Sequence, residues 1–333
     1  MSENQLLSAL DLIETFPFPF AADAYRYSTN VEPAGTAVNT PTGRCGERVV
    51  DIDSEYEREL AERVDILAAD PTRHTVLPHM RPACWDAMLT LMGEMATAYP
   101  GTMSLERRGA GWRWRNGRLG LVQDFVIGDE QTLPAEPLAY IASQVQDDIV
   151  LLDQRDGDLF ADAGVVTFAA DWSFGFDVGM TFLEIHGPVP RLRESGVIPR
   201  AREFLMRLQP GETYRRTNWS MTVGRRLDVS TERSHEWGPD RARIATVGDE
   251  DFGRLVHLRV EVQHLIRLPE SGSICFLIRT YMLPLADIAT VEPWRLRAAT
   301  VLAELPDDIA DYKGINAYRD RVVAWLQNAN PPR

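Results

Sequence analysis

Histidines, cysteines and carboxylates are the groups in this chain that could do chemistry, and few of them stand at a telling spacing. The six histidines, His74, His79, His186, His235, His257 and His264, include no pair at helical metal-ligand spacing. The gap between His257 and His264 puts those two on opposite faces of a strand. A zinc site built from protein ligands alone is therefore not expected. Cys45, Cys84 and Cys275 are too few and too dispersed for a disulfide framework or for the thiolates of an iron–sulfur cluster, and they read as buried free thiols. No phosphate loop GxxxxGK[ST], no GxGxxG after a strand, no HExxH and no CxxC is present, so nucleotide phosphates are not bound by either standard loop.

Two segments are more informative. His186 closes Phe182-Leu183-Glu184-Ile185-His186-Gly187-Pro188-Val189-Pro190, where two prolines stop regular structure just after the imidazole. A histidine fixed at an element end can cap, pack in a core or offer a ring nitrogen to a metal. In the second segment, Val256 to Leu268, residues Val256, Leu258, Val260, Val262, Ile266 and Leu268 alternate with His257, Arg259, Glu261, Gln263 and Arg267. That is a strand with one apolar face. The next apolar run, Ser273 to Tyr281, follows Glu270-Ser271-Gly272, a three-residue hairpin loop ending in a left-handed glycine. Pairing Pro269 with Ser273 sets Glu261 opposite Tyr281 and Gln263 opposite Arg279. One face then carries Arg259, Glu261, Gln263, Arg279 and Tyr281. Such a face is either solvated and laced with cross-strand ion pairs, or the wall of a pocket for a charged substrate or cofactor.

The elements that position these groups divide by texture. The first third reads as helical: Ser54 and Glu57 form a capping box, and Tyr56, Leu60, Val64 and Leu67 keep helical spacing until Asp70-Pro71. A second helix starts near Pro82 and carries Trp85, Met88, Leu89, Met92, Met95 and Tyr99 as a core stripe down to Pro100-Gly101. Ahead of them, Phe16-Pro17-Phe18-Pro19-Phe20 is an extended strap. From Met103 the pattern turns to short alternating runs with hairpin signals at Arg115-Asn116-Gly117 and Asp156-Gly157-Asp158, interrupted by one short helix from Pro137 to Gln146. Helix returns at Pro293, with Tyr318, Val322, Val323 and Leu326 on one face. The expected fold is α+β: an N-terminal helical flank over 1–102, a sheet core over 103–290 and a C-terminal helical segment over 291–333, integrated in one domain.

Composition narrows the function classes. The chain has 333 residues, 44% of them hydrophobic, with 49 acidic against 35 basic side chains and a formal charge of -14. A large core is possible, while nucleic acid and anionic membrane surfaces would be repelled. Met1-Ser2-Glu3-Asn4 opens no basic-then-apolar leader, and no apolar run approaches the roughly 20 residues of a bilayer span. A cytoplasmic protein is expected.

Three stretches also carry a family resemblance. They are Asp171-Trp172-Ser173 leading into Ile185-His186-Gly187-Pro188-Val189-Pro190, then Arg216-Thr217-Asn218-Trp219-Ser220, and then Arg259-Val260-Glu261 running through Arg267-Leu268-Pro269 to Ile278-Arg279-Thr280-Tyr281 and Pro284-Leu285. With Tyr312-Lys313-Gly314 near the end, they resemble the haem-binding alpha subunit of the haem-dependent oxidative N-demethylases. One departure is Glu261-Val262-Gln263, where family members more often have Glu-Arg-Gln. The resemblance implies a PAS-like antiparallel sheet with helical flanks, binding haem b through iron on His186. It implies oxidative demethylation of a small secondary amine, dimethylamine first, to methylamine and formaldehyde, with NADPH, FMN and a [2Fe–2S] centre on reductase or ferredoxin-type partner subunits. Because a histidine ligand pushes little electron density to iron, Arg216 is the expected hydrogen-bond donor to bound dioxygen. Glu261 is the expected counter-charge or proton acceptor for the amine, with Tyr281 beside it, and Arg259 and Arg279 are candidates for the haem propionates. A haem-binding PAS-like sensor or carrier is the competing class, since the same His186 would serve it.

Overall fold

The computed structural model describes residues 12–26, 28–191 and 196–329; Met1-Ser2-Glu3-Asn4 lies outside them. Helix α1 (Tyr56–Ala69) has its N-cap at Glu55 rather than at Ser54, with no side-chain capping bond there. Its entry is set one residue before Ser54, where Asp53 accepts the Glu55 N–H at 2.9 Å. Its buried face is also not the expected one: Val64 is 60% exposed, while Glu59 and Arg63 are buried with Tyr56 and Leu60. The cause is the partner surface. Arg63 donates to the Ala142, Val145, Gln146 and Asp147 carbonyls and to Asp148, and Glu59 faces Arg279, so α1 rides on an ionic network. The second helix, α2 (Arg81–Ala98), buries Trp85, Met88, Met92 and Met95 as its spacing requires.

The sheet expected from Met103 onward divides in two. Strands β5 (Met103–Arg108), β6 (Gly111–Asn116) and β7 (Leu121–Phe125) form their own meander, packed through Met103, Trp114 and Phe125 into one core with α1, α2 and α3 (Pro137–Ala142). The main sheet has seven strands: β1 (Glu32–Pro33), β4 (His74–Val76), β8 (Asp148–Arg155), β9 (Asp158–Val165), β10 (Thr213–Val223), β11 (Val256–Arg267) and β12 (Ile274–Pro284). Two short strands, β2 (Val38–Asn39) and β3 (Arg44–Cys45), pair with each other. All pairings are antiparallel in the order β1-β10-β11-β12-β8-β9-β4. Numbered along the chain, the five long strands therefore run 2-1-5-4-3 across the sheet. The β8–β9 hairpin turns on Asp156 and Gly157, whose φ angles of 53° and 74° are those of a two-residue primed turn.

More helix interrupts the sheet than the single short helix expected. Between β9 and β10 lie α4 (Phe174–Asp177), α5 (Phe182–Ile185) and α6 (Val197–Arg207); between β10 and β11 lie α7 (Ser234–Arg243) and α8 (Asp249–Leu255). The first two are single turns, too short to show a period, and α7 holds Pro239 in its interior. After β12 come α9 (Leu285–Thr290), α10 (Glu292–Ala303), α11 (Asp307–Tyr312) and α12 (Arg319–Asn328). The Phe16 to Phe20 strap is extended and lies on α10, where the Phe18 ring stacks on Trp294 with centroids 5.0 Å apart.

The hairpin register differs from the expected one by a residue. Leu268 and Ser273 flank a four-residue loop, Pro269 to Gly272, and Arg267 pairs with Ile274. Glu261 is thus opposite Thr280 and Gln263 opposite Ile278, while Arg279 pairs with Val262 and Tyr281 with Val260. A slip of one residue turns a side chain to the other face. Nor is either face of β11 solvated, since all twelve of its residues are buried.

Candidate functional site

One face of β10, β11 and β12 looks toward α4, α5 and α6, as the shared core of Leu265, Ile274, Phe174, Leu205 and Leu208 with Phe182 and Ile185 shows. Period two places Arg216, Asn218, Arg259, Glu261, Gln263 and Thr280 on it together. His186 joins this side. A capping box from Thr181 and Glu184 starts α5 beside β9, and His186 is the residue that ends it, at φ -88° and ψ 0°. Its Nδ1 donates to the Phe182 carbonyl at 2.8 Å, and its ring packs on Phe182 at 4.2 Å. That bond fixes the tautomer, so Nε2 carries the free lone pair. Burial first, and then the nearby Arg216 guanidinium, lower the His186 pKa against the pull of the carbonyl, which keeps the ring neutral. A neutral imidazole oriented by a backbone carbonyl is what a metal centre asks of a histidine ligand.

Glu261 is the only carboxylate among the face residues just named. It accepts from Gln263 Nε2 at 2.9 Å, from Asn218 Nδ2 at 3.3 Å and from Arg259 Nε at 3.4 Å. Arg259 is fully buried and also donates to the Leu227 and Phe168 carbonyls and to Thr280 Oγ1, so its guanidinium serves the wall itself. Arg216 donates to the Thr29 carbonyl at 3.2 Å. Lys313, at the end of α11, adds a further cation near Glu261 and Arg216. Arg216, Arg259 and Lys313 thus lie around Glu261, each with hydrogen bonds of its own to the chain. The Nε2 of a neutral His186, oriented by the Phe182 carbonyl, is a donor that fits the iron of a haem.

The structure brings His186, Arg216, Arg259 and Glu261 to one side and separates Arg279 and Tyr281 from them. Arg279 sits behind the sheet, bonded to Asp53 at 2.5 Å and to Glu59 at 2.9 Å, with its guanidinium over the Tyr281 ring. Tyr281 donates to Asp51 at 3.0 Å. Sequence reasoning missed Asn218 and Lys313 as contributors to the face. For Asn218 a signal existed, because alternation along β10 already pairs its side with that of Arg216. It also missed His79, Asp153 and Asp162, which three separate elements bring within 4.8 Å of one another. The Arg155 guanidinium already bridges both of those carboxylates.

The network behind the sheet includes Asp147, fully buried, with neither carboxylate oxygen hydrogen-bonded. Burial raises its pKa from 3.8 to about 7, offset in part by Arg279 and Arg63. The folded chain holds this proton where the unfolded chain has lost it. Its stabilising contribution is therefore full below pH 3.8, declines as pH rises, and is gone above about 7. Asp147→Asn should flatten that slope, making the variant up to about 4 kcal/mol more stable than the parent above neutrality and equal to it in acid. Urea unfolding of both proteins across this range checks it, and parallel curves would remove Asp147 as the cause.

Among the described residues no helix is long and apolar enough to cross a membrane. A family model described as haem-dependent oxidative N-demethylase, alpha subunit-like, matches residues 43–323.

Proposed function

The chain belongs to the haem-dependent oxidative N-demethylase alpha-subunit-like family, and from that premise we propose that it demethylates a small secondary amine, dimethylamine first, on a haem b held by His186. The 2-1-5-4-3 strand order, with helices between the second and third strands, supports reading the core as PAS-like. The observation that carries the function is Glu261, a buried carboxylate with three N–H donors on the face that His186 shares. A carrier or gas sensor has no use for such a group, whereas a cationic amine needs a counter-charge in an otherwise desolvated pocket.

Bound haem supplies the activation of dioxygen. Dimethylamine, dioxygen, two electrons and two protons give methylamine, formaldehyde and water. Glu261 accepts an N–H of the amine and thereby orients a methyl group, Arg216 donates toward dioxygen, and Arg259 and Gln263 hold the Glu261 carboxylate in place. Arg279 and Tyr281, lying behind the sheet, stabilise the wall and take no part in binding. Arg259, with its donors committed to carbonyls and to Glu261, is a positioning group before it is a propionate partner.

The electrons come from outside this chain, because its three cysteines stand apart and it has no nucleotide loop. A cytoplasmic reductase partner carrying NADPH, FMN and a [2Fe–2S] centre completes the reaction.

The experiment is the visible spectrum of the purified protein, recorded before and after dimethylamine. A Soret band that shifts with the amine supports the reading, and its absence overturns it. Glu261→Gln keeps shape and loses charge. It should retain haem and weaken the amine-induced shift by at least about tenfold in amine concentration. An unchanged titration would return Glu261 to a structural role.

A further inference from the structure

The site is walled by β10, and β10 is nearly an edge strand: β1 pairs with it at Tyr214 and Arg215, the Ala34 N–H donates to the Thr213 carbonyl, and Asn30 adds bonds at Thr217. Beyond that point two residues from later in the chain reach the open edge: Tyr318, whose hydroxyl donates to the Met221 carbonyl at 3.4 Å, and Lys313. Lys313 Nζ donates to the Trp219 carbonyl at 2.6 Å, lies 4.4 Å from the Trp219 ring and reaches Asn218 Oδ1 at 3.5 Å. Trp219 faces the Val260 side of the sheet and Asn218 the Glu261 side, so one ammonium touches both faces.

The position of Lys313 is imposed by its helix. It caps α11, and Gly314 follows at φ 65°, the left-handed turn that ends a helix. A Cβ at Gly314 would strike the Arg241 guanidinium, which is itself held by Asp171 at 3.0 Å through two bonds. The chain is thus pinned on both sides of Lys313.

The geometry points to Lys313 as a positioning residue for the amine site: by occupying the Asn218 carbonyl oxygen, it turns the Asn218 amide so that its NH₂ points at Glu261. An Asn amide reversed about its last torsion would present an oxygen to the carboxylate instead. Glu261 would then lose a donor and face a like partial charge. Desolvation pushes the Lys313 pKa down to about 8, with Glu261 opposing and Arg216 assisting that fall. The ammonium is therefore held where it is costly, as a purely structural edge cover need not be.

This inference rests on the proposed amine site, and its test separates the two. The holoprotein is titrated with dimethylamine and the Soret shift recorded for the parent, Lys313→Met, Asn218→Leu and the double variant, beside haem content and melting temperature. Lys313→Met is expected to keep its haem and its amine-free spectrum and to need about tenfold more amine, with KM raised and kcat nearly kept. The double variant is expected to be no weaker than Asn218→Leu alone, since the lysine acts through that amide. Additive losses, or an unchanged amine titration in a normally responding protein, overturn the role of Lys313. No response in the parent overturns the amine site, and this inference with it.

Discussion

Replacing His186 with alanine should leave a folded chain that holds little haem. The imidazole offers one nitrogen, Nε2, while its Nδ1 donates to the Phe182 carbonyl and its ring packs on the Phe182 face. Losing those costs the fold about 1 kcal/mol, within reach of a chain with four separate core clusters. Losing the iron bond leaves only apolar contact and charge pairing to retain the macrocycle, which should cut haem per chain at least about tenfold. His257→Ala and His264→Ala are the comparison. His257 also donates to a backbone carbonyl, that of Leu255 at 2.9 Å, and His264 is buried with burial lowering its pKa to about 4. Both variants should load normally. Full haem and an unaltered Soret band in His186→Ala, or loss in either comparison variant, would move the ligand.

Arg279→Ala should do the reverse, unfolding the chain readily while each folded molecule keeps its haem. The guanidinium is fully buried between Asp53 and Glu59, and burial already raises the Glu59 pKa, with Arg279 the main opposing influence. Removing one partner of a buried pair strands the others at a cost of about 3–5 kcal/mol. The measurement is urea unfolding alongside haem per folded chain. Parental stability with haem lost would carry Arg279 back to the cofactor side of the sheet.

That contrast between two residues once placed together shows what the sequence could decide. Strand β11 alternates cleanly, so Arg259, Glu261 and Gln263 were legible as one face. Strand β12 is not so informative: Ile274 to Ile278 is apolar at every position, and such a run fits either register. The hairpin loop had to arbitrate, and counting Pro269 into the strand moved Arg279 and Tyr281 to the wrong face. The α1 stripe failed for a related reason. Periodicity assumes that what faces the core is apolar, whereas Glu59 and Arg63 are drawn inward by charges on distant elements. The proximity of His186 and Arg216, and the reach of Lys313 to Asn218, depend on how α5 and α11 dock on the sheet, which no local pattern records. The family resemblance singled out His186 because its flanking Gly-Pro-Val-Pro is local.

The Phe18–Trp294 stack has a consequence for the order in which this molecule can be made. It belongs to packing that joins the strap near the beginning of the chain to α10, while the neighbouring cluster unites Phe20 with β10, β11 and the α12 residues Val322 and Leu326. A ribosome releases these pieces far apart in time, and the earlier ones wait with their aromatic rings uncovered until the last has emerged. Lys313 is threaded in that same later stretch, so the edge of β10 closes only after α11 has emerged.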